Sequence, residues 1–212
     1  MAFAVSAKEV KSLRDATGAG MMDCKKALVD NEGDIDAAME FLRKKGLASA
    51  EKKSSRAAKE GIIETYIHTG AKLGIMVEVN CETDFVAKRP EFKELAKAVA
   101  MQIAACPTVE AIKEEDIPAG WVEQESRIEA ASEDLQGKPD NIVEKIVAGR
   151  VQKAMKAKLL LEQPYIRDTS MNVDEFVKSY VAKLGENIKV ARFVRFSVGG
   201  GEEKAADADG AD

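Results

Sequence analysis

The sequence predicts an α+β fold: a three-helix module at the N-terminus, then a β(2)-α(n)-β domain with helices covering a three-stranded antiparallel sheet. Three observations lead there. Residues 5–46 carry three apolar repeats at helical spacing, separated by Gly18-Ala19-Gly20 and Asn31-Glu32-Gly33. Ile62–His68 and Leu73–Cys81 read as strands joined by Thr69-Gly70-Ala71-Lys72, a hairpin connection of ordinary length. Ile188–Val198 alternates again, and because two strands make a marginal sheet, this last strand is expected to return to the hairpin.

In the first segment, Ser6 and Glu9 form an S-x-x-E capping box, with Val5 and Val10 at hydrophobic-staple spacing. Val10 and Leu13 continue that helix to the glycine turn. A second helix starts near Met21 and turns Cys24, Ala27 and Leu28 inward; Asp34 caps a third, lined by Ile35, Ala38, Met39 and Leu42, with Gly46 as its stop. Residues 1–46 are therefore read as one small module. Arg43, Lys44, Lys45, Lys52, Lys53, Arg56 and Lys59 crowd among alanine and serine, and residues 47–60 read as a basic linker. Contact with RNA or an acidic protein face is the functional alternative to a solvated connector.

The main domain is placed at residues 61–198. In its second strand Leu73, Ile75, Val77 and Val79 share the buried face. Alternation stops at Thr83-Asp84-Phe85-Val86, a connection before Pro90 opens a helix whose Phe92, Leu95, Ala96, Val99 and Ile103 form one face. Further helices are expected at Trp121–Asp134, at Ile142–Leu159 and from Val173 to Gly185, with an irregular stretch from Pro164-Tyr165 and a capping box at Asn172 and Glu175. The last strand places Ile188, Val190, Val194, Phe196 and Val198 on one side and Lys189, Arg195 and Ser197 on the other. Residues 199–212, glycine-rich then acidic, read as a disordered tail.

With 212 residues, 45% hydrophobic and 33% charged at a net charge of −5, the chain has room for a core and no global basic excess directing it to nucleic acid. Cys24, Cys81 and Cys106 are odd in number and have no zinc-ligand spacing, which suits a reducing compartment. No signal-peptide layout and no membrane-spanning run is present, so a cytoplasmic or organelle-matrix location is expected. Catalytic chemistry is thin. His68 is the single histidine, with no nucleophile at motif spacing, and neither a Walker loop nor G-x-G-x-x-G occurs. No enzyme, cofactor or metal site is expected.

Two segments stand out as contact sites. Met21 and Met22 begin a helix after a glycine turn, where methionine serves either as core filler or as an adaptable contact residue. Asp84-Phe85 lies in a short connection between rigid elements, where function concentrates. Spacing alone favours the plainer reading, in which Phe85 and Val86 fold back as core anchors.

Longer patterns shift that balance. G-D-I-D-A-A-M-E-F-L (Gly33–Leu42) resembles the last helix of ubiquitin-associated domains, three-helix modules that bind a protein surface through their first loop. L-R-D-A-T-G-A-G-M-M-D-C-K-K-A-L (Leu13–Leu28) and E-V-N-C-E-T-D-F-V-A-K (Glu78–Lys88) resemble the two signature segments of the translation elongation factor Ts family. The likeness extends through I-H-T-G-A-K-L-G, V-A-G-R, L-L-E-Q-P-Y and R-F-S-V-G in matching order over nearly the whole chain.

That resemblance implies a nucleotide exchange factor for elongation factor Tu. It binds the GDP-bound GTPase domain, displaces Mg²⁺, and promotes GDP release and GTP loading. Thr83, Asp84, Phe85 and Val86 would form the segment pressed against that domain. Arg14, Met21 and Met22 match positions by which the N-terminal module docks on it, and His68 is a further possible contact. Longer members of the family carry two hairpin-helix units; this sequence has one, and short members complete the architecture by pairing two chains. A homodimer in a 2:2 complex is the resulting expectation, without membrane or direct nucleic-acid contact, in a bacterial cytoplasm or, for a processed chain, a plastid stroma. An adaptor resembling ubiquitin-associated domains but lacking exchange activity, or an RNA-binding protein using the basic linker, stands as the alternative.

Overall fold

The structure, a computed structural model, describes residues 4–200; the acidic part of the expected tail, 201–212, lies outside them. The element order is α1 (Ala7–Thr17), α2 (Met21–Asp30), α3 (Ile35–Glu51), β1 (Glu60–Ile67), β2 (Leu73–Cys81), α4 (Asp84–Ala87), α5 (Pro90–Ala105), α6 (Trp121–Ala130), α7 (Asp140–Lys158), β3 (Pro164–Tyr165), β4 (Asp168–Asn172), α8 (Val173–Leu184) and β5 (Lys189–Ser197). The expected α+β architecture is present: β5 returns to the hairpin and pairs with β2, giving an antiparallel sheet of order β1-β2-β5. The chain divides into two compact units whose boundaries cut across these strands. Among the described residues one comprises 4–64, Val77–Ala98 and Glu175–Ala191, the other Thr65–Met76, Val99–Asp174 and 192–200.

In the first unit, α1 to α3 bury Val10, Leu13, Cys24, Ala27, Leu28, Ala38 and Leu42 together. The capping box forms as read: the Ser6 Oγ accepts from the Glu9 N–H at 3.2 Å, and the Ser6 N–H donates to Glu9 Oε2 at 2.8 Å. Gly18 ends α1 in the left-handed region, and the Asp34 carboxylate accepts from the Ala37 N–H to start α3. The module packs on α8. Arg43 pairs with Glu175 at 2.9 Å and Lys178 with Glu51 at 3.4 Å. A side chain at Gly46 would come within 3.3 Å of the Ala182 methyl.

That contact corrects the reading of Gly46. It does not stop α3, which continues to Glu51; its lack of a side chain lets α8 approach. In the basic stretch around it, Arg43, Lys44, Lys45 and Arg56 pair with Glu175, Glu40, Asp23 and Glu82.

β1 begins two residues earlier than expected, and His68 falls in the turn. The early start depends on Gly61, whose φ is +151° and whose hypothetical Cβ would lie 2.2 Å from the Val79 carbonyl oxygen. A backbone atom cannot give way as a flexible side chain can. Gly61→Ala is therefore expected to destabilise by about 2–3 kcal/mol. Thermal unfolding should record a midpoint lowered by about 5–10 °C, since each kcal/mol shifts a domain of this size by about 2–4 °C.

In the second unit Val99, Ile103, Val109, Leu160 and Tyr165 are buried, and Trp121, Val143 and Ile146 pack on Leu135, Val147 and Val151. α6 ends at Ala130, earlier than the expected Asp134; a separate 3-10 turn at Glu133–Leu135 buries Leu135. The stretch after Pro164 is a small antiparallel hairpin rather than irregular. Its second strand, Asp168-Thr169-Ser170-Met171-Asn172, has no apolar alternation to announce it.

The faces of β5 also differ from expectation. Arg195 turns inward. Its Nη1 donates to the carbonyls of Pro107 (2.8 Å) and Val109 (3.1 Å), and its Nη2 to those of Ile103 and Cys106 (both 2.8 Å). The guanidinium thereby satisfies acceptors that the C-terminus of α5 leaves open. Val194, Phe196 and Val198, two residues apart and so on the opposite face, are exposed. Ile67 and Met76 are exposed as well, and the Ile67 side chain lies over Gly74. An apolar sheet face is thus left uncovered in this unit.

Candidate functional site

The strand β2 buries Ile75, Val77, Val79 and Cys81, so its end is fixed where the T-D-F-V segment begins. That segment is not an open connection. Thr83 caps a single helical turn, its Oγ1 accepting from the Val86 N–H at 3.4 Å, while the Ala87 N–H donates to its carbonyl at 3.2 Å. Helical geometry then separates neighbours. Val86 is 7% exposed and anchors the turn, whereas Phe85 is 79% exposed. The core-anchor reading holds for Val86 and fails for Phe85.

Asp84 accepts from Lys88 Nζ at 2.6 Å, one turn on. This hydrogen bond holds its carboxyl below the usual carboxylate range, so the tip presents an anion at neutral pH. The segment thus presents an exposed aromatic beside a fixed carboxylate, on a turn fastened to a buried strand. No reacting group accompanies it.

The support beneath the tip comes from far along the chain. Glu186 Oε2 accepts from the N–H groups of Glu82 (3.1 Å) and Thr83 (3.0 Å), and its Oε1 accepts from the Thr83 hydroxyl (2.6 Å). The buried Asn187 donates its N–H to Glu82 Oε1 at 2.6 Å and its side-chain amide to the carbonyls of Ser54 and Arg56 at 3.3 and 2.7 Å. The end of the linker, the turn after α8 and the base of the tip are thereby tied together.

The second candidate surface lies in the N-terminal module. Met21 and Met22, at the start of α2, are 50% and 75% exposed, which favours contact residues over core filler. With Val5, Ala7, Val10 and Lys25 they line a shallow groove of about 270 Å³. Arg14 is exposed on α1. The structure places Arg14, Met21, Met22 and Thr83–Val86 in one compact unit, while His68 belongs to the other, exposed at its turn with Nδ1 3.0 Å from the Tyr66 hydroxyl. Among the described residues no cluster of His, Cys, Asp or Glu could hold a metal ion, and no helix is long and apolar enough to cross a membrane.

A family model described as Elongation factor TS matches residues 2–200. The chain belongs to the elongation factor Ts family. Among curated relatives, Elongation factor Ts of Rippkaea orientalis is 60% identical over 200 residues, covering 94% of this chain and 80% of the relative. That of Synechococcus elongatus is 60% identical over 201 residues, covering 95% and 91%. A chloroplastic Elongation factor Ts from Rhodomonas salina is 59% identical over 207 residues, covering 98% and 94%.

The sequence pattern pointed to the Thr83–Val86 segment as a candidate and gave no sign of Glu186 and Asn187. Both follow Gly185, which closes α8, and nothing in that local pattern points to partners more than a hundred residues earlier. Glu186 also affects chemistry nearby. Burial, with its negative charge second, pushes the Cys81 thiol up to about 11. Cys24 is buried too, and burial raises the partly buried Cys106. Because the thiolate is the reactive form, native protein at pH 8 is expected to react slowly with a disulfide-exchange reagent. The same reagent should count three thiols once the chain is unfolded; rapid native labelling at Cys81 would contradict its placement.

Proposed function

We propose that the chain is a guanine nucleotide exchange factor for elongation factor Tu, acting by binding and without covalent chemistry. The observation that carries this reading is the tip itself: Phe85 exposed beside an anionic Asp84 on a turn whose other residues are anchored. Pressed against the GDP-bound GTPase domain, Asp84 and Phe85 hold a conformation in which the Mg²⁺ site and the phosphate-binding loop are misplaced. Mg²⁺ and backbone amides hold the phosphates of GDP, so displacing either weakens the nucleotide strongly. Thr83 and Val86 act from beneath the tip, and Arg14, Met21 and Met22 dock the N-terminal module on the same domain. His68 contributes at a separate contact.

The uncovered sheet face has an occupant in this reading. Since the chain has one hairpin-helix unit where longer members have two, a second copy covers Ile67, Met76, Val194 and Phe196, giving a homodimer and a 2:2 complex. A self-complementary apolar face suits a two-fold pair. The setting is the bacterial cytoplasm or the plastid stroma, where the partner works.

Coupling between two ligands of one protein is reciprocal. If the chain lowers the affinity of elongation factor Tu for GDP by some factor, GDP lowers the affinity for the chain by the same factor. Titration calorimetry of the chain into nucleotide-free and GDP-bound elongation factor Tu tests this. Tight binding to the first and much weaker binding to the second is expected; equal affinities would rule out exchange by weakening of GDP.

A further inference from the structure

We infer that Glu186 is a positioning residue for exchange, holding the Thr83–Phe85 tip in its working geometry; the inference rests on the exchange reading above. α4 is a single turn, and one helical turn in isolation is far from self-sustaining, because nucleation fixes several residues for one hydrogen bond. The direction in which Phe85 projects is therefore set by whatever fixes Thr83. Every polar group of Thr83 is occupied. Its N–H and hydroxyl donate to Glu186, its hydroxyl oxygen accepts from Val86, and its carbonyl accepts from Ala87 and from the Cys81 thiol at 3.1 Å.

Two of these bonds, together with the bond from the Glu82 N–H, end on one carboxylate. Hydrogen bonds to an ionised acceptor are about twice as strong as neutral ones. Without Glu186, two main-chain N–H groups at the base of the tip lose their acceptor, and the Thr83 hydroxyl is free to rotate away from its capping position. Glu186 is itself held in register by its neighbour: Asn187 is buried and bonds to Glu82, Ser54 and Arg56. Glu186 touches no partner surface in this account. It acts through the Glu82 and Thr83 groups it holds.

The test is release of fluorescently labelled GDP from elongation factor Tu. It compares the full-length chain with Glu186→Ala, Glu186→Gln, Phe85→Ala and the Glu186→Ala/Phe85→Ala double variant, all below their thermal unfolding midpoints. Glu186→Ala is expected to lower the stimulated release rate by about tenfold. Gln keeps an oxygen for the main-chain N–H groups and an amide that can donate to the Thr83 hydroxyl, so it should recover most of the rate. In the Phe85→Ala background Glu186→Ala should cost nothing further, because there is no longer a ring to position.

A merely structural role would show no such non-additivity and no rescue by Gln. Full additivity, or a wild-type rate for Glu186→Ala, overturns the positioning role and leaves the exchange reading standing. A wild-type rate for Phe85→Ala removes the assigned tip, and this inference with it.

Discussion

Phe85→Ala is expected to slow the GDP release stimulated by this chain by about a hundredfold, with its own unfolding midpoint unchanged. Both halves follow from exposure. A side chain 79% exposed in the free protein contributes little to its core, and substitutions at such positions usually change stability by about 0.5 kcal/mol or less. In a complex the same ring is a large apolar surface at the end of a rigid support. Truncating an aromatic anchor in an interface costs about 2–4 kcal/mol, and each 1.4 kcal/mol is about tenfold. Val86→Ala should behave the opposite way. Its 7% exposure makes it a core residue, so losing two methyl groups lowers stability first and exchange only as the turn loosens. Stopped-flow release of labelled GDP, paired with thermal unfolding, separates the two; a folded Phe85→Ala chain with full activity would remove the ring from the mechanism.

Phe196→Asp is expected to halve the mass of the particle in solution. On the uncovered side of β5, Phe196 stands with Val194, Val198 follows the strand, and Ile67 of β1 and Met76 of β2 are exposed as well. A two-fold pairing doubles the effect of one substitution, because each copy brings a carboxylate into the shared apolar surface and the two charges meet uncompensated. In the free chain the same position faces water, so the variant should still fold. Light scattering should give a dimer for the wild type and a single chain for the variant. A wild type that is already monomeric at full exchange activity would contradict the proposed pairing.

Much of the architecture could be read directly, because it is written in local periodicity. The capping box at Ser6 and Glu9, the helix face from Phe92 to Ile103 and the alternation of β2 all depend on neighbours within a few residues. Features governed by distant partners were not legible. Gly46 looks like a helix stop in isolation, and only the approach of Ala182 explains a glycine within α3. Arg195 looks like a solvated strand residue until the open carbonyls at the end of α5 are placed opposite it. The apolar side of β5 has the composition of a buried face, yet in the single chain it is uncovered beyond Val190.

The candidate site divides the same way. The motif around Phe85 pointed to the tip, but spacing could not separate Phe85 from Val86. One turn of helix does so, sending adjacent side chains in different directions. Glu186 and Asn187 carry no motif, and their role follows only from hydrogen bonds that span more than a hundred residues.

The most direct measurement of the central claim is multiple-turnover exchange. Elongation factor Tu loaded with labelled GDP is mixed with excess GTP and a small fraction of its concentration of this chain. Each copy of the chain is expected to discharge many molecules of elongation factor Tu, so that substoichiometric amounts empty the whole population. Release at the spontaneous rate, or release limited to one nucleotide per copy of the chain, would contradict it.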